Sequence, residues 1–217
     1  MIKYLKDVII CNNFYPNPDG VRDYALRQEY DSDDKKKNWP GRDSVHEHVD
    51  PDTTLAISHI VGEPLYQRPE NKCSYFRITK EGESGRQNIH FDPNPGLVWA
   101  GVCYLTPTER TESGTKFWKH KELGWERSPN QKQAEESGIN SHKDMLNFFE
   151  TDGLDESKWT ETLNVPFSYN RLILFRPWLF HCGGIPFGTT NEDSRLVQLF
   201  FYYNDEPKPK KPENFDI

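Results

Sequence analysis

The sequence predicts a mainly β domain with flanking helices, and three observations carry that reading. Short runs rich in β-branched and aromatic residues recur between turn-forming clusters: Leu97–Leu105, Ser113–Trp118, Asn170–Phe175 and Ser194–Tyr202. Helical spacing is confined to the first 70 residues and to one polar stretch at about 119–163. Hydrophobic residues make up only 34% of the chain, yet aromatics reach 13%. With a mean hydropathy of −0.89, that balance describes a small core filled by large flat side chains beneath extensive polar loops. At 217 residues the chain suits one domain with a long insertion.

Taken in order, Asp7–Ile10 reads as a first short strand, closed by the turn-rich Asn12–Gly20. From Asp19 to Tyr30, Val21, Tyr24, Ala25 and Gln28 recur at helical spacing, with Asp19 as N-cap. Lys35–Lys37 reads as a solvated charge run. Asn38–Ser44 is a loop carrying Trp39, either folded over a site mouth or simply anchored by its aromatic ring. Thr53–Val61 reads as a helix covering the sheet and Tyr75–Thr79 as a strand.

Leu97–Leu105 is apolar enough for a buried strand and ends at a Thr-Pro break. Ser113–Trp118 reads as turn plus strand, with Gly114 supplying a positive φ. Inside the polar stretch, Ser141–Asp144 fits a capping box ahead of Met145, Leu146, Phe148 and Phe149, so a short amphipathic helix is expected there. The tail, 206–217, alternates proline with charge and is expected to be disordered.

Two segments carry chemistry. In His90-Phe91-Asp92 an extended backbone puts His90 and Asp92 on one face while Phe91 packs into the opposite layer. A second histidine, His181, stands in Trp178–Gly184 beside another strand-like run. Two imidazoles and one carboxylate occupy one face of an octahedral ion and leave the other open, the arrangement of non-haem Fe(II) oxygenases. Arg195 opens the last strand, where a guanidinium can pair with a carboxylate in a pocket. His46-Glu47-His48 is the rival metal cluster, but no neighbouring region supports it. Helices ahead of many strands argue for a jelly roll, the double-stranded β-helix, with ligands on rigid strands near its open end.

The order of these features resembles the 2-oxoglutarate- and Fe(II)-dependent dioxygenases, in particular their prolyl-4-hydroxylase-like branch. The resemblance covers residues 72–203: H-x-D, a strand ending Tyr104-Leu105, a Gly-Thr-x-Phe segment, Asn170–Phe175, His181, then Arg195. It implies Fe(II) on His90, Asp92 and His181. It also implies that Arg195 pairs with the distal carboxylate of 2-oxoglutarate and that the Tyr104 hydroxyl donates to the same group. O2 would be the second co-substrate, with hydroxylation of a peptidyl residue or small molecule and release of succinate and CO2. Arg77, Asn88 and Trp178 are the remaining pocket candidates. The opening Phe14-Tyr15-Pro16 lead-in resembles bacterial and phage members of the same superfamily. On this reading residues 1–205 are one oxygenase domain: helical support over 1–70, then a jelly-roll core over 72–203 interrupted at 119–163.

Charge and cysteines bound the alternatives. A net charge of −7 disfavours nonspecific nucleic-acid binding, which needs a basic surface. Cys11, Cys73, Cys103 and Cys182 are widely spaced and suggest no disulfide framework. No run has the length of a membrane span or the pattern of a signal peptide, so a soluble, cytoplasmic protein is expected. Two other readings stay open: a cupin-like metal-dependent hydrolase using the same triad, and a non-catalytic jelly-roll binding module.

Overall fold

The computed structural model describes residues 1–31, 38–68, 72–92 and 94–205. Lys35–Lys37 and the 206–217 tail lie outside the described residues. Strands β1 (Ile2–Leu5) and β2 (Val8–Asn12) form an N-terminal hairpin, followed by α1 (Pro18–Leu26), β3 (Arg42–Asp43), α2 (Pro51–Val61) and β4 (Ser74–Thr79). β5 (Leu97–Tyr104) and the long β6 (Glu109–His120) precede helices α3 (Gln131–Glu136) and α4 (His142–Thr151). The chain then returns through β7 (Trp159–Ser168), β8 (Arg171–Phe175), β9 (His181–Gly183) and β10 (Arg195–Tyr203).

The described strands make two antiparallel sheets, one ordered β1-β2-β8-β5-β10-β4-β3 and a smaller one ordered β7-β6-β9. β5 lies near the middle of the large sheet and is buried over nearly its whole length, which explains its unbroken apolar character. The facing sides share one core, in which Val102, Ile173, Phe175 and Val197 meet Phe117, Val165 and Phe167. The other face of the large sheet packs on the helices, with Ala25 and Ile57 against Phe76, Leu172, Leu174 and Phe200. No helix among the described residues is long and apolar enough to cross a membrane.

Several expectations change in detail. α1 starts at Pro18 and ends at Leu26, and its cap is Asn17, whose side chain accepts from the Gly20 N–H, rather than Asp19. A proline in the first turn, where its missing N–H has no intrahelical partner, explains the earlier start. β1 was not foreseen, because it is an exposed edge strand with no alternating apolar pattern. With β2 and β3 it makes the first 70 residues part of the large sheet as well as helical support.

β6 is one long strand rather than a turn leading into a short one, with its pairing to β7 skipping from Arg110 to Thr115. Gly114 sits in that irregularity. It is absent from the positive-φ residues, and a Cβ there would overlap the Val165 carbonyl. Close approach, not turn geometry, demands this glycine.

The segment between β6 and β7 is shorter than 119–163, because β6 runs to His120 and β7 begins at Trp159. α4 is capped by Ser141 as the sequence implied, its hydroxyl accepting from the Asp144 N–H. Phe148 and Phe149 of that helix join Phe91, Trp118, Trp125, Trp159 and Phe180 in an aromatic cluster. Phe91 meets Phe149 and Phe180 edge-to-face at centroid distances of 5.2 and 5.3 Å, the layer expected for the middle residue of H-x-D.

α2 illustrates how local chemistry sets an element. Asp50 caps it by accepting from the Asp52 and Thr53 backbone and the Thr53 hydroxyl, and Gly62 closes it in the left-handed conformation. The Thr53 hydroxyl bond above all holds the Asp50 carboxyl below its usual range. A carboxyl depressed in the native state stabilises it above the unfolded-state pKa, and that contribution disappears as pH falls through the native value. Asp50→Ala should therefore lower stability to urea near neutral pH by about 1 kcal/mol, and the gap from the unmodified chain should narrow under acid conditions.

Candidate active site

His90 and His181 stand directly opposite one another as an antiparallel bridge. The His90 N–H donates to the His181 carbonyl at 3.0 Å, and the His181 N–H returns the bond to His90 at 2.8 Å. β6 holds His181 from the other side, through its pairing with Phe117. Asp92 is fixed by its backbone N–H, which donates to the Pro177 carbonyl at 2.8 Å. Alternation along the chain then brings the Asp92 carboxylate back to the same point as His90.

The side chains converge without bonding to each other. Asp92 Oδ1 lies 3.6 Å from His90 Nε2, and Oδ2 lies 3.8 Å from His181 Nε2. One ligand atom from each residue falls within a 4.8 Å group, the only such group among the described residues. These separations exceed hydrogen-bond lengths and leave space for a cation between the three atoms.

Each imidazole is oriented by its own strand. His90 Nδ1 lies 2.8 Å from the Asn88 carbonyl and His181 Nδ1 lies 2.8 Å from the Leu179 carbonyl. A carbonyl only accepts, so both Nδ1 atoms carry the proton and both Nε2 atoms face Asp92. Orienting bonds of this kind are the usual support of metal-ligating histidines.

Charge agrees with that assignment. Burial and the neighbouring His90 push His181 down to about 4, so its ring is neutral near pH 7. Burial alone would raise Asp92, but the His181 and His90 imidazoles and the Arg77 guanidinium outweigh it and hold the carboxyl below its usual range. A neutral His181 ring and an ionised Asp92 are the protonation states that a divalent cation requires of such ligands.

The triad opens into a cavity of about 380 Å³ whose lining includes Trp39, Arg77, Asn88, Leu154, Thr115 and Arg195. Arg195 is only 7% exposed. Its Nε donates to the Ser113 carbonyl at 3.0 Å, with a longer contact to Gly114, and among the described residues it pairs with no carboxylate. Burial pushes this guanidinium below its usual value. A buried cation without a counter-ion is costly and calls for an anion.

The other sequence candidates fall in different places. Arg77 and Asn88 line the cavity. Arg77 is held by Asp43, and the Asn88 amide donates to Glu156 at 3.2 Å. Trp178 is not part of the lining; its ring lies 5.5 Å from the Arg176 guanidinium. Tyr104 is fully buried and also absent from the lining, with its hydroxyl 2.8 Å from Thr115 Oγ1 and its ring stacked on Phe167. Thr115, which the sequence reading passed over, is the residue of that pair facing the cavity. Its signal was alternation, since it precedes Phe117 by two positions on the strand that pairs with His181.

The loop carrying Trp39 does reach the mouth, its ring centroid 3.9 Å from that of His90. The segment after β6 contributes Leu154 to the lining, and its Gly153 carbonyl accepts from the Ile89 N–H at 2.9 Å. The rival cluster does not form: His46 is exposed, the Glu47 carboxylate accepts from the Cys73 N–H, and His48 packs near Tyr24 and Phe76.

The sequence profile of a family of unknown function, DUF6445, matches residues 2–196. No curated protein matches. Among solved structures, HygX from Streptomyces hygroscopicus, with nickel, 2-oxoglutarate and hygromycin B bound, aligns over 91% of this chain and 82% of its own at 13% identity and a TM-score of 0.51. The epimerase SnoN of nogalamycin biosynthesis, in complex with Fe3+, alpha ketoglutarate and nogalamycin RO, aligns over 92% and 80% at 11% identity and a TM-score of 0.52. A Pseudomonas putida prolyl-4-hydroxylase aligns over 92% and 93% at 14% identity and a TM-score of 0.47. The chain shares the fold of the first two, both 2-oxoglutarate-binding proteins.

The triad geometry generates a direct expectation. Apo-protein titrated with Co(II) should bind one ion per chain with the visible spectrum of a nitrogen- and oxygen-ligated site. Asp92→Ala should weaken binding at least about tenfold, the loss of one charged ligand (about 1.4 kcal/mol or more), while His46→Ala leaves it unchanged.

Proposed function

The chain belongs to the DUF6445 family of unknown function, and we propose that it is a non-haem Fe(II)- and 2-oxoglutarate-dependent dioxygenase. Its substrate is a peptidyl residue or a small molecule, which it hydroxylates. On this reading the two packed antiparallel sheets are a double-stranded β-helix, and residues 1–205 form one oxygenase domain. The observation that carries the proposal is Arg195: a buried guanidinium without a carboxylate partner among the described residues opens into the same cavity as the His-Asp-His triad.

Each residue has a physical task. His90, Asp92 and His181 would hold the iron through two Nε2 atoms and a carboxylate oxygen. Arg195 would take the distal carboxylate of 2-oxoglutarate, and the anion would supply the charge that this buried cation lacks. Thr115 lies on the cavity wall and carries a hydroxyl able to donate to the same carboxylate. Tyr104 acts from behind, bonded to that hydroxyl and buried so that it fixes its orientation. Ala100, Val102, Phe175 and Val197 give the cavity apolar walls that exclude water from the bound anion. Iron and the co-substrate, when bound, bring the oxygen chemistry itself, with succinate and CO2 as co-products.

The same triad suits a hydrolytic Zn(II) or Mn(II), but a hydrolase gives Arg195 no anion to bind. Succinate release measured against 2-oxoglutarate concentration separates the two. Arg195→Ala should raise the half-saturating concentration about thirtyfold or more, the equivalent of losing one charge-assisted contact of about 2 kcal/mol. Unchanged saturation, or no dependence on 2-oxoglutarate at all, counts against the proposal. A second comparison tests the reassigned pair. Thr115→Val should raise the same concentration more than Tyr104→Phe does, whereas a direct tyrosine contact predicts the reverse order.

A further inference from the structure

Two walls of the cavity are not themselves among the residues proposed to bind metal or co-substrate. One is Trp39, a half-buried indole whose centroid lies 3.9 Å from that of His90 at an interplanar angle of 40°. The other is Arg77 on β4. The segment joining them is clamped at both ends. On one side the Asn38 carbonyl accepts from the Gln87 N–H at 3.0 Å. Gly85 passes so close that a Cβ there would overlap the Asn38 carbonyl oxygen. On the other side Gly41, at φ 94°, packs its backbone against the Ile78 carbonyl. Asp43 then takes Arg77 Nε and one terminal nitrogen at 2.6 and 2.9 Å. Two positions that tolerate only glycine thus hold the indole as a fixed wall beside a metal ligand.

Arg77 is presented in an equally fixed way. Asp43 uses two of its three nitrogens, and the third makes no bond among the described residues and is not among the buried atoms lacking a partner. It therefore remains available to the cavity. Because Asp43 already balances the charge, that nitrogen offers a hydrogen bond without surplus positive charge. Such a donor suits a neutral carbonyl better than a carboxylate, whose uncompensated partner in this cavity is Arg195, taken on the oxygenase reading by the co-substrate.

We infer that Trp39 and Arg77 form the substrate subsite, and that it takes a ring-bearing compound with a neutral carbonyl. The ring lies against the indole, and the carbonyl oxygen accepts from the free Arg77 nitrogen. The inference rests on the oxygenase reading for the fate of the compound. The subsite itself is built from side chains that stand in place without metal or co-substrate.

The test is ligand-observed NMR titration of the full chain, both as apo-protein and with Ni(II) and 2-oxoglutarate added. The probes are benzamide, butyramide (the carbonyl without a ring) and benzoate (the ring with a charged acceptor). Benzamide should bind both forms with butyramide several-fold weaker, and in the loaded form, where 2-oxoglutarate occupies Arg195, benzoate should be several-fold weaker as well. Trp39→Ala should weaken benzamide about three- to tenfold, the range of an aromatic pair contact, and Trp39→Phe should restore much of it. Arg77→Gln should weaken benzamide about fivefold or more and butyramide to the same extent, leaving the preference for the ring-bearing amide in place.

Absence of benzamide binding up to its solubility limit would overturn the inference, as would equal binding of butyramide or an unchanged affinity in Trp39→Ala. If Arg77→Gln fails to melt cooperatively, the Trp39 variants and the probe comparison on the unmodified chain still decide. Loading with Ni(II) and 2-oxoglutarate is followed separately by calorimetry. If benzamide binds but calorimetry detects no uptake of Ni(II) and 2-oxoglutarate, the oxygenase reading falls and the subsite stands.

Discussion

Two backbone hydrogen bonds between His90 and His181 are the constraint on which the site depends. They join residues distant in sequence, one ahead of the central strand β5 and one on the short strand β9. With the backbones locked opposite each other, the two imidazoles need only their Nδ1 bonds to Asn88 and Leu179 to point both Nε2 atoms inward. Asp92 follows by alternation. Little side-chain freedom would remain to be lost on binding the proposed cation, because the three ligand atoms already converge.

The surroundings reinforce that lock from both sides. Phe91 and Phe180, the residues adjoining the two histidines, turn away from the cavity into the aromatic cluster shared with α4. The segment between β6 and β7 therefore helps build the site. It supplies Phe148 and Phe149 to the cluster, the Gly153 carbonyl to Ile89, and Leu154 to the cavity wall. On the opposite side the clamped Asn38–Asp43 segment sets Trp39 over His90. Arg195 enters from β10, across the sheet interface, with its Nε on a β6 carbonyl.

How much of this was legible depended on whether the controlling interaction was local. H-x-D was readable because strand alternation alone puts His90 and Asp92 together, and the second histidine because an apolar run and a late arginine framed it. α4 was readable from its Ser141 cap and spacing, and α2 as a helix from Thr53, but not its Asp50 cap or its start at Pro51. Gly114 was misread because its requirement comes from Val165, a residue on another strand that no local pattern reveals. Tyr104 was given its role by the family resemblance, whereas on the central strand β5 its side chain is sealed between Thr115 and Phe167. β1 was missed because an edge strand exposed along its length carries no hydrophobic period. Trp39 was visible as an aromatic in a loop, but its contact with His90 required Gly85 and Gln87 to be seen beside it.

The central claim is that one cavity holds both a cation and 2-oxoglutarate, the cation on the triad and the co-substrate on Arg195. Its most direct test is optical. Apo-protein titrated without oxygen, first with Fe(II) and then with 2-oxoglutarate, should develop a saturable visible charge-transfer band with one equivalent of each. Iron binding with no band on addition of 2-oxoglutarate would contradict the account, because the two would then not share a site.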